Sequence, residues 1–183
     1  MVERREAGFM ADLLECLLQI KALKETPGRL AALLNDVPRD AWVHRPAPGA
    51  WAPVEVLAHL ADLELAYGVR LRLMLTSDRP ALPRFDQNRL AERAHYLAWP
   101  PQLALERFRV RRGDSLEILE GSGAEELARI GIHPTRGEMT VADMVALMLA
   151  HDTGHVGQIR QRLARADAAA SPPAAPSARD EHR

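Results

Sequence analysis

Apolar residues recur along this chain at three- and four-residue spacing, the period of one helix face. Leu13, Leu14, Leu17, Leu18 and Ile20 mark a first helix from about Phe9 to Glu25. Thr26-Pro27 reads as an N-cap followed by proline at the first helical position. A short second segment, Pro27 to Leu34, is therefore expected to set off in a new direction. Val37 to Trp51 carries Pro38, Pro46, Pro48 and Gly49 and is expected to lack regular structure. Trp42 and Trp51 bracket this connector and are expected to pin it onto the helices.

A second long helix is expected from Pro53 to about Thr76, with Glu55 in its first turn and Val56, Leu60, Leu63 and Leu73 on its apolar face. After a loop from Ser77 to Phe85, Asp86 caps a short helix over Gln87 to Tyr96. Pro100-Pro101 opens a third long helix that ends near Glu120, and a minor turn spans Ala124 to Arg129. Gly131 to Met139 reads as a loop. Thr140-Val141-Ala142-Asp143 is a capping-box variant that opens the fourth long helix, Val141 to about Ala164. The pattern predicts an all-α domain over residues 1–164, an antiparallel four-helix bundle with long connections and short extra helices. Residues 165–183 are Ala, Pro, Ser and charge without periodicity, and read as a disordered tail.

Composition narrows the chemistry. Lys and Arg number 24 against 25 Asp and Glu in 183 residues, a net charge of -1. This balance offers no footprint for nucleic acid or an anionic membrane. No apolar run reaches the ~18 residues of a membrane span. The first residues lack the cationic and apolar parts of a signal peptide, so a cytoplasmic location is expected. The single cysteine, Cys16, excludes an internal disulfide and a Cys-rich zinc site. Flanked by leucines and glutamate with no close basic neighbour, it reads as a packed thiol rather than a nucleophile. Lysine occurs only at Lys21 and Lys24, which leaves few candidates for Schiff-base chemistry.

The informative pair among the seven histidines is His151 and His155. Four residues apart on a helix, their side chains share one face, ~5–6 Å apart at Cβ. Met144, Leu147, Met148 and Gln158 fall on that same face, so both imidazoles are expected to point into the bundle. Two imidazoles there each need a partner, or they share a metal ion. His59 is the best third ligand: it lies in the second long helix, on a face with Val56, Leu63 and Ala66. Three imidazoles without an obvious fourth protein ligand describe an open, catalytic type of site, completed by water or substrate. His44, His95 and His182 read as bystanders.

The stretches from Pro48 to Asp62 and from Gly137 to Ile159, with one histidine early and H-x3-H in the last helix, resemble the DinB/YfiT-like superfamily. The likeness covers about residues 10–164. It implies a four-helix bundle, usually a homodimer, holding Zn²⁺, Ni²⁺ or a similar divalent ion through His59, His151 and His155. Members of related branches include S-transferases and an isomerase that use a low-molecular-weight thiol. Ala52 stands where relatives often place a serine helix cap, and Gly154 where some branches have a further histidine.

Four other polar residues have two readings each. Asp62 and Glu55 either orient an imidazole from behind or sit on a solvated helix edge. Arg70 falls near His59 on the helical wheel, and either binds an anionic group of a thiol or substrate or makes a salt bridge across the bundle. His133 either packs the loop or lines the pocket in an acid–base role. The expected function is a metal-dependent enzyme acting on a small molecule. It activates a low-molecular-weight thiol for S-transfer or, second, water for hydrolysis. The alternative is a non-catalytic metal- or ligand-binding stress or dimerisation module. No individual catalytic residue beyond the metal ligands is assigned.

Overall fold

The computed structural model describes residues 2–35 and 37–170. Helix α1, Val2–Ala32, continues through Pro27, where a break was expected. Proline lacks an N–H and strips the carbonyl four residues back, that of Leu23, of its helical partner. Arg112 Nη1 donates to this carbonyl at 3.1 Å instead. The proline-rich connector holds one short helix, α2 (Arg39–Val43), which places Trp42 in the core at 1% exposure.

Helix α3 spans Pro53–Thr76. Ala52 brings no capping side chain, and Glu55 Oε2 accepts the Ala52 N–H at 2.7 Å. At the far end Arg129 donates from Nε to the Met74 carbonyl and from Nη2 to that of Ser77, both at 2.7 Å. The chain then returns over residues 77–100. This segment holds α4 (Gln87–Arg93), capped by Asp86, and a single 3-10 turn, Tyr96–Ala98. The short helix stops at Arg93 and does not reach Tyr96, because His95 takes a left-handed conformation with φ 52°.

Helix α5 is Pro101–Glu120 and α6 is Ala124–Leu127. Where a loop was expected, β1 (Ile130–His133) and β2 (Gly137–Thr140) form an antiparallel hairpin, pairing Ile130 with Thr140 and His133 with Gly137. Its three-residue turn is closed by Gly137 at φ 77°, the left-handed position such a loop needs. Ile132 exchanges hydrogen bonds with the Pro80 carbonyl and the Leu82 N–H, so the return segment is stitched to the hairpin. Helix α7, Val141–Ala170, opens with the expected reciprocal cap: Asp143 accepts the Thr140 N–H at 2.8 Å and Thr140 Oγ1 accepts that of Asp143 at 3.0 Å. It runs past the expected end at Ala164, with Ala166 buried. The remainder of the expected tail, with His182, lies outside the described residues.

The four long helices form a four-helix bundle, as expected, though not with every neighbour antiparallel: α1 packs on α5 and α7, and α3 packs on the same two. Arg111 reaches the Ala61 carbonyl, Arg112 meets Glu64, and Ser115 lies beside Gly68. These pairings make α3 and α5 parallel within the bundle, which is why residues 77–100 must travel back along its length. Helix α7 runs opposite to α3, since Trp51 meets Arg162 while His59 meets His151 and His155.

Two apolar clusters fill the interior. One gathers Leu30, Leu57, Phe108 and Ile159, the other Ile20, Leu71, Leu119 and Met144. Between them lies a buried polar layer to which every long helix contributes. Arg112 donates to both Glu64 oxygens at 2.8 Å, to Asp152 at 2.7 and 3.1 Å, and to the Leu23 carbonyl. Burial pulls the guanidinium pKa down, and the bonds and charges of Glu64 and Asp152 outweigh it and hold Arg112 above its ordinary value. Burial pushes the Glu64 carboxyl up, as expected where two carboxylates share one cation out of water.

Candidate metal centre

The three histidines singled out from the sequence meet where α3 and α7 pack. Helical spacing puts His151 and His155 one turn apart on the face of α7 that contacts α3, and His59 faces them from the second turn of α3. His59 Nε2 is 3.2 Å from His151 Nε2, and His155 Nε2 is 3.0 Å from the same atom. The three candidate ligand atoms lie within 4.8 Å of one another. Bonds of about 2.0–2.1 Å in a tetrahedral shell set ligand nitrogens about 3.3 Å apart, close to this spacing.

The protonation chemistry fits a metal. Burial drives His59 down to about 4 and His151 to about 3, with the neighbouring His155 charge acting in the same direction on both. Burial also lowers His155, against the hydrogen bond it makes to Gln158 Oε1. All three imidazoles are therefore neutral near pH 7, with lone pairs to give. Gln158 Oε1 lies 2.7 Å from His155 Nδ1. An amide oxygen only accepts, so the proton sits on Nδ1 and the Nε2 lone pair faces the other two rings. His151 Nδ1 is buried without a hydrogen-bond partner. Trp51 closes over His59 with ring centroids 5.1 Å apart, and the edge of Tyr67 meets His151 at 6.2 Å.

The remaining sequence candidates have other partners. Glu55 neither backs an imidazole nor faces open solvent: it caps α3 and pairs with Arg45 at 2.6 and 3.0 Å. Asp62 accepts from the Tyr96 hydroxyl at 2.8 Å and from Arg111 at 2.6 Å. With His59, Arg70, Phe85 and Leu90 it lines a small cavity of about 60 Å³. Arg70 donates to the Pro83 carbonyl at 2.9 and 3.3 Å and lies 5.7 Å from the Phe85 ring, and among the described residues it makes no ion pair across the bundle. His133 sits at the hairpin turn, its Nδ1 3.3 Å from the Thr135 N–H, apart from the three-histidine centre. Cys16 is buried in the second apolar cluster, and burial pushes its thiol up.

Sequence reasoning missed the polar layer and the roles of Gln158 and Trp51. One signal was present: Asp152 interrupts the apolar stripe Met148–Val156, and Arg112 sits on the face with Phe108 and Leu119. A charge in an apolar stripe marks a buried partner.

A DinB superfamily model matches residues 22–159. A protein of Oceanobacillus iheyensis, provisionally named a metal-dependent hydrolase, is 27% identical over 166 residues, covering 85% of this chain and 87% of that protein. YfiT from Bacillus subtilis has a solved structure, described as a four-helix bundle of unusual topology. It superposes with a TM-score of 0.77 at 22% identity over 82% of this chain and 86% of its own. A variant of the mycothiol-dependent maleylpyruvate isomerase shares the fold at a TM-score of 0.64 and 9% identity, over 82% of this chain and 67% of that one.

Proposed function

The chain belongs to the DinB superfamily, and we propose that it is a metal-dependent enzyme whose His59, His151 and His155 hold one divalent ion, Zn²⁺ or Ni²⁺. The observation that carries this reading is the convergence of three neutral Nε2 atoms with no fourth protein ligand at the centre among the described residues. A bound divalent ion supplies positive charge that favours the deprotonated form of a thiol or of water. Cys16 is buried in the apolar core and is not one of the converging ligands, so the nucleophile comes from outside the chain. A low-molecular-weight thiol is the first candidate, because a borderline-soft ion accepts sulfur readily. Hydrolysis is the second reading, favoured by the names of the relatives.

The protein's own groups then have separable tasks. Gln158 fixes the His155 tautomer, and Trp51 shields the His59 ring from water. Asp62, with its oxygens taken by Tyr96 and Arg111, contributes fixed negative charge rather than a free base. The substrate is a small molecule, in keeping with the size of the cavity. Pairing of two copies in the cytoplasm is part of the same proposal. Met10, Leu14, Leu17 and Leu18 form an exposed apolar stripe on α1 that supports it. No helix among the described residues is long and apolar enough to cross a membrane.

The test is elemental analysis of the purified protein, followed by a screen of thiols with electrophiles and of activated esters and amides. About one ion per chain and turnover above that of the free metal are expected. His155→Ala should lose the ion and the turnover while retaining its helical circular dichroism. Full activity in the metal-free variant would refute the reading.

A further inference from the structure

Beside the three-histidine centre, the return segment forms a second, wider cleft of about 690 Å³, lined by Arg84, Arg89, Arg93 and His95. Phe85 and Leu90 line both this cleft and the small cavity at His59, so the two adjoin at these side chains. Arg89 and Arg93 are one turn apart on the seven-residue α4, where like charges repel and weaken an already short helix. None of the three guanidinium groups has a carboxylate within ion-pair distance among the described residues. Of the two acids in the cleft, Asp86 is engaged in capping Arg89 N–H at 3.1 Å, and Glu92 also faces the neighbouring cleft. His95 reaches this position only through a left-handed backbone, a conformation that costs energy for any residue but glycine. Three arginines without a carboxylate partner among the described residues thus surround one opening, in a chain of net charge -1, and the fork of each guanidinium matches a carboxylate or phosphate.

We propose that this cleft binds the anionic end of the small-molecule substrate or co-substrate, a carboxylate or phosphate, while its reacting end passes between Phe85 and Leu90 to His59. The proposal rests on the three histidines being the reactive centre, and it names the ligand's chemical class. The cavity at His59 has room for about two waters' volume, so the reacting end is a group no larger than a thiol or small carbonyl. Specificity for the charged tail then resides in Arg84, Arg89 and Arg93, and Arg70 serves to hold Pro83 and Phe85 in place.

The test is calorimetric titration of the protein as purified, at constant ionic strength, with succinate, inorganic phosphate and the neutral succinamide. Succinate or phosphate should bind in the millimolar range or tighter and succinamide should not; the stronger of the two anions identifies the tail. In Arg89→Gln/Arg93→Gln the affinity for that anion should fall fivefold or more at unchanged metal content. The control Arg109→Gln/Arg160→Gln, on exposed positions of α5 and α7, should bind as the wild type does. Absence of anion binding by the wild type, a loss under fivefold, equal binding of succinamide, or an equal loss in the control each overturns the proposal. Metal content is read separately on the same samples. A protein that binds anions but no metal sinks the proposed enzyme alone, and one that binds metal but no anion sinks the cleft alone.

Discussion

Arg112 makes the hydrogen bond that Pro27 denies to its own helix. The proline leaves the Leu23 carbonyl bare in the middle of α1, and a guanidinium from α5 donates to it at 3.1 Å. The same side chain pairs with both Glu64 and Asp152, the latter adjacent to His151 in α7. One residue thereby ties a helix irregularity, two buried carboxylates and the helix that carries His151 and His155 into one layer.

Arg112→Met should therefore destabilise the protein by about 3–5 kcal/mol, because it strands two buried carboxylates and a carbonyl. Adding Glu64→Gln and Asp152→Asn should recover a large part of the loss, since no charge is then left unpaired. Urea unfolding of the wild type, the single variant and the triple variant measures this. A single-variant loss below 1 kcal/mol would show that the layer contributes little.

Gln158→Ala removes the acceptor that holds His155 Nδ1–H. Metal affinity should drop about 10- to 100-fold with the fold unchanged, the usual cost of losing such an outer partner. Competition with a chromophoric chelator gives the affinity. An unchanged value would mean that the His155 tautomer is fixed by something else.

The metal-free protein should lose stability as the pH falls below neutrality. His59 and His151 have folded pKa values of about 4 and 3, beneath the ordinary histidine value of about 6.5. Between these limits the unfolded chain binds protons that the folded one refuses, so folding free energy is full above about pH 6.5 and declines towards pH 3. Thermal melts with chelator present from pH 7.5 to 4 should show this slope. The slope should flatten in His59→Ala/His151→Ala. Identical slopes in both proteins would place the acid sensitivity elsewhere.

The extent of α7 separates two truncations. Ending the chain after Ala170 should leave the melting temperature unchanged. Ending it after Ala164 removes the buried Ala166 and the last helical turns. That should cost roughly 2–4 °C, about 1 kcal/mol for a chain of this size. Equal melting temperatures for the two forms would show that the final turns are not part of the stable bundle.

Much of the architecture was legible because its signals are local. Leucine spacing located the four long helices, and Thr140 and Asp143 announced the start of α7. The site was legible because helical geometry alone puts His151 and His155 on one face with Met144 and Met148. What escaped the sequence depends on distant partners. Pro27 looks like a boundary until Arg112 is placed beside it from another helix. Ile130 and Ile132 are too short a run to declare a strand, and they gain the status of one by pairing with Gly137–Thr140 and the return segment. Glu55 read as exposed or as backing an imidazole because Arg45, its partner, lies in a connector whose path no periodicity fixes. The parallel run of α3 and α5 left a trace only in the length of the connection between them.

That connection has an evolutionary consequence. His59, His151 and His155 stand on rods of the bundle, α3 and α7, whose residues also build the core and so resist change. Across the small cavity from His59 lies a single continuous stretch, residues 77–100, fastened at a few points: Pro83 to Arg70, Ile132 to Pro80 and Leu82, and Tyr96 to Asp62. Substitutions at positions such as 84, 85, 89, 90 and 93 alter neither the metal ligands nor the buried layer. On the proposed function, a lineage built on this plan exchanges one substrate for another by rewriting that stretch, with the three histidines inherited intact.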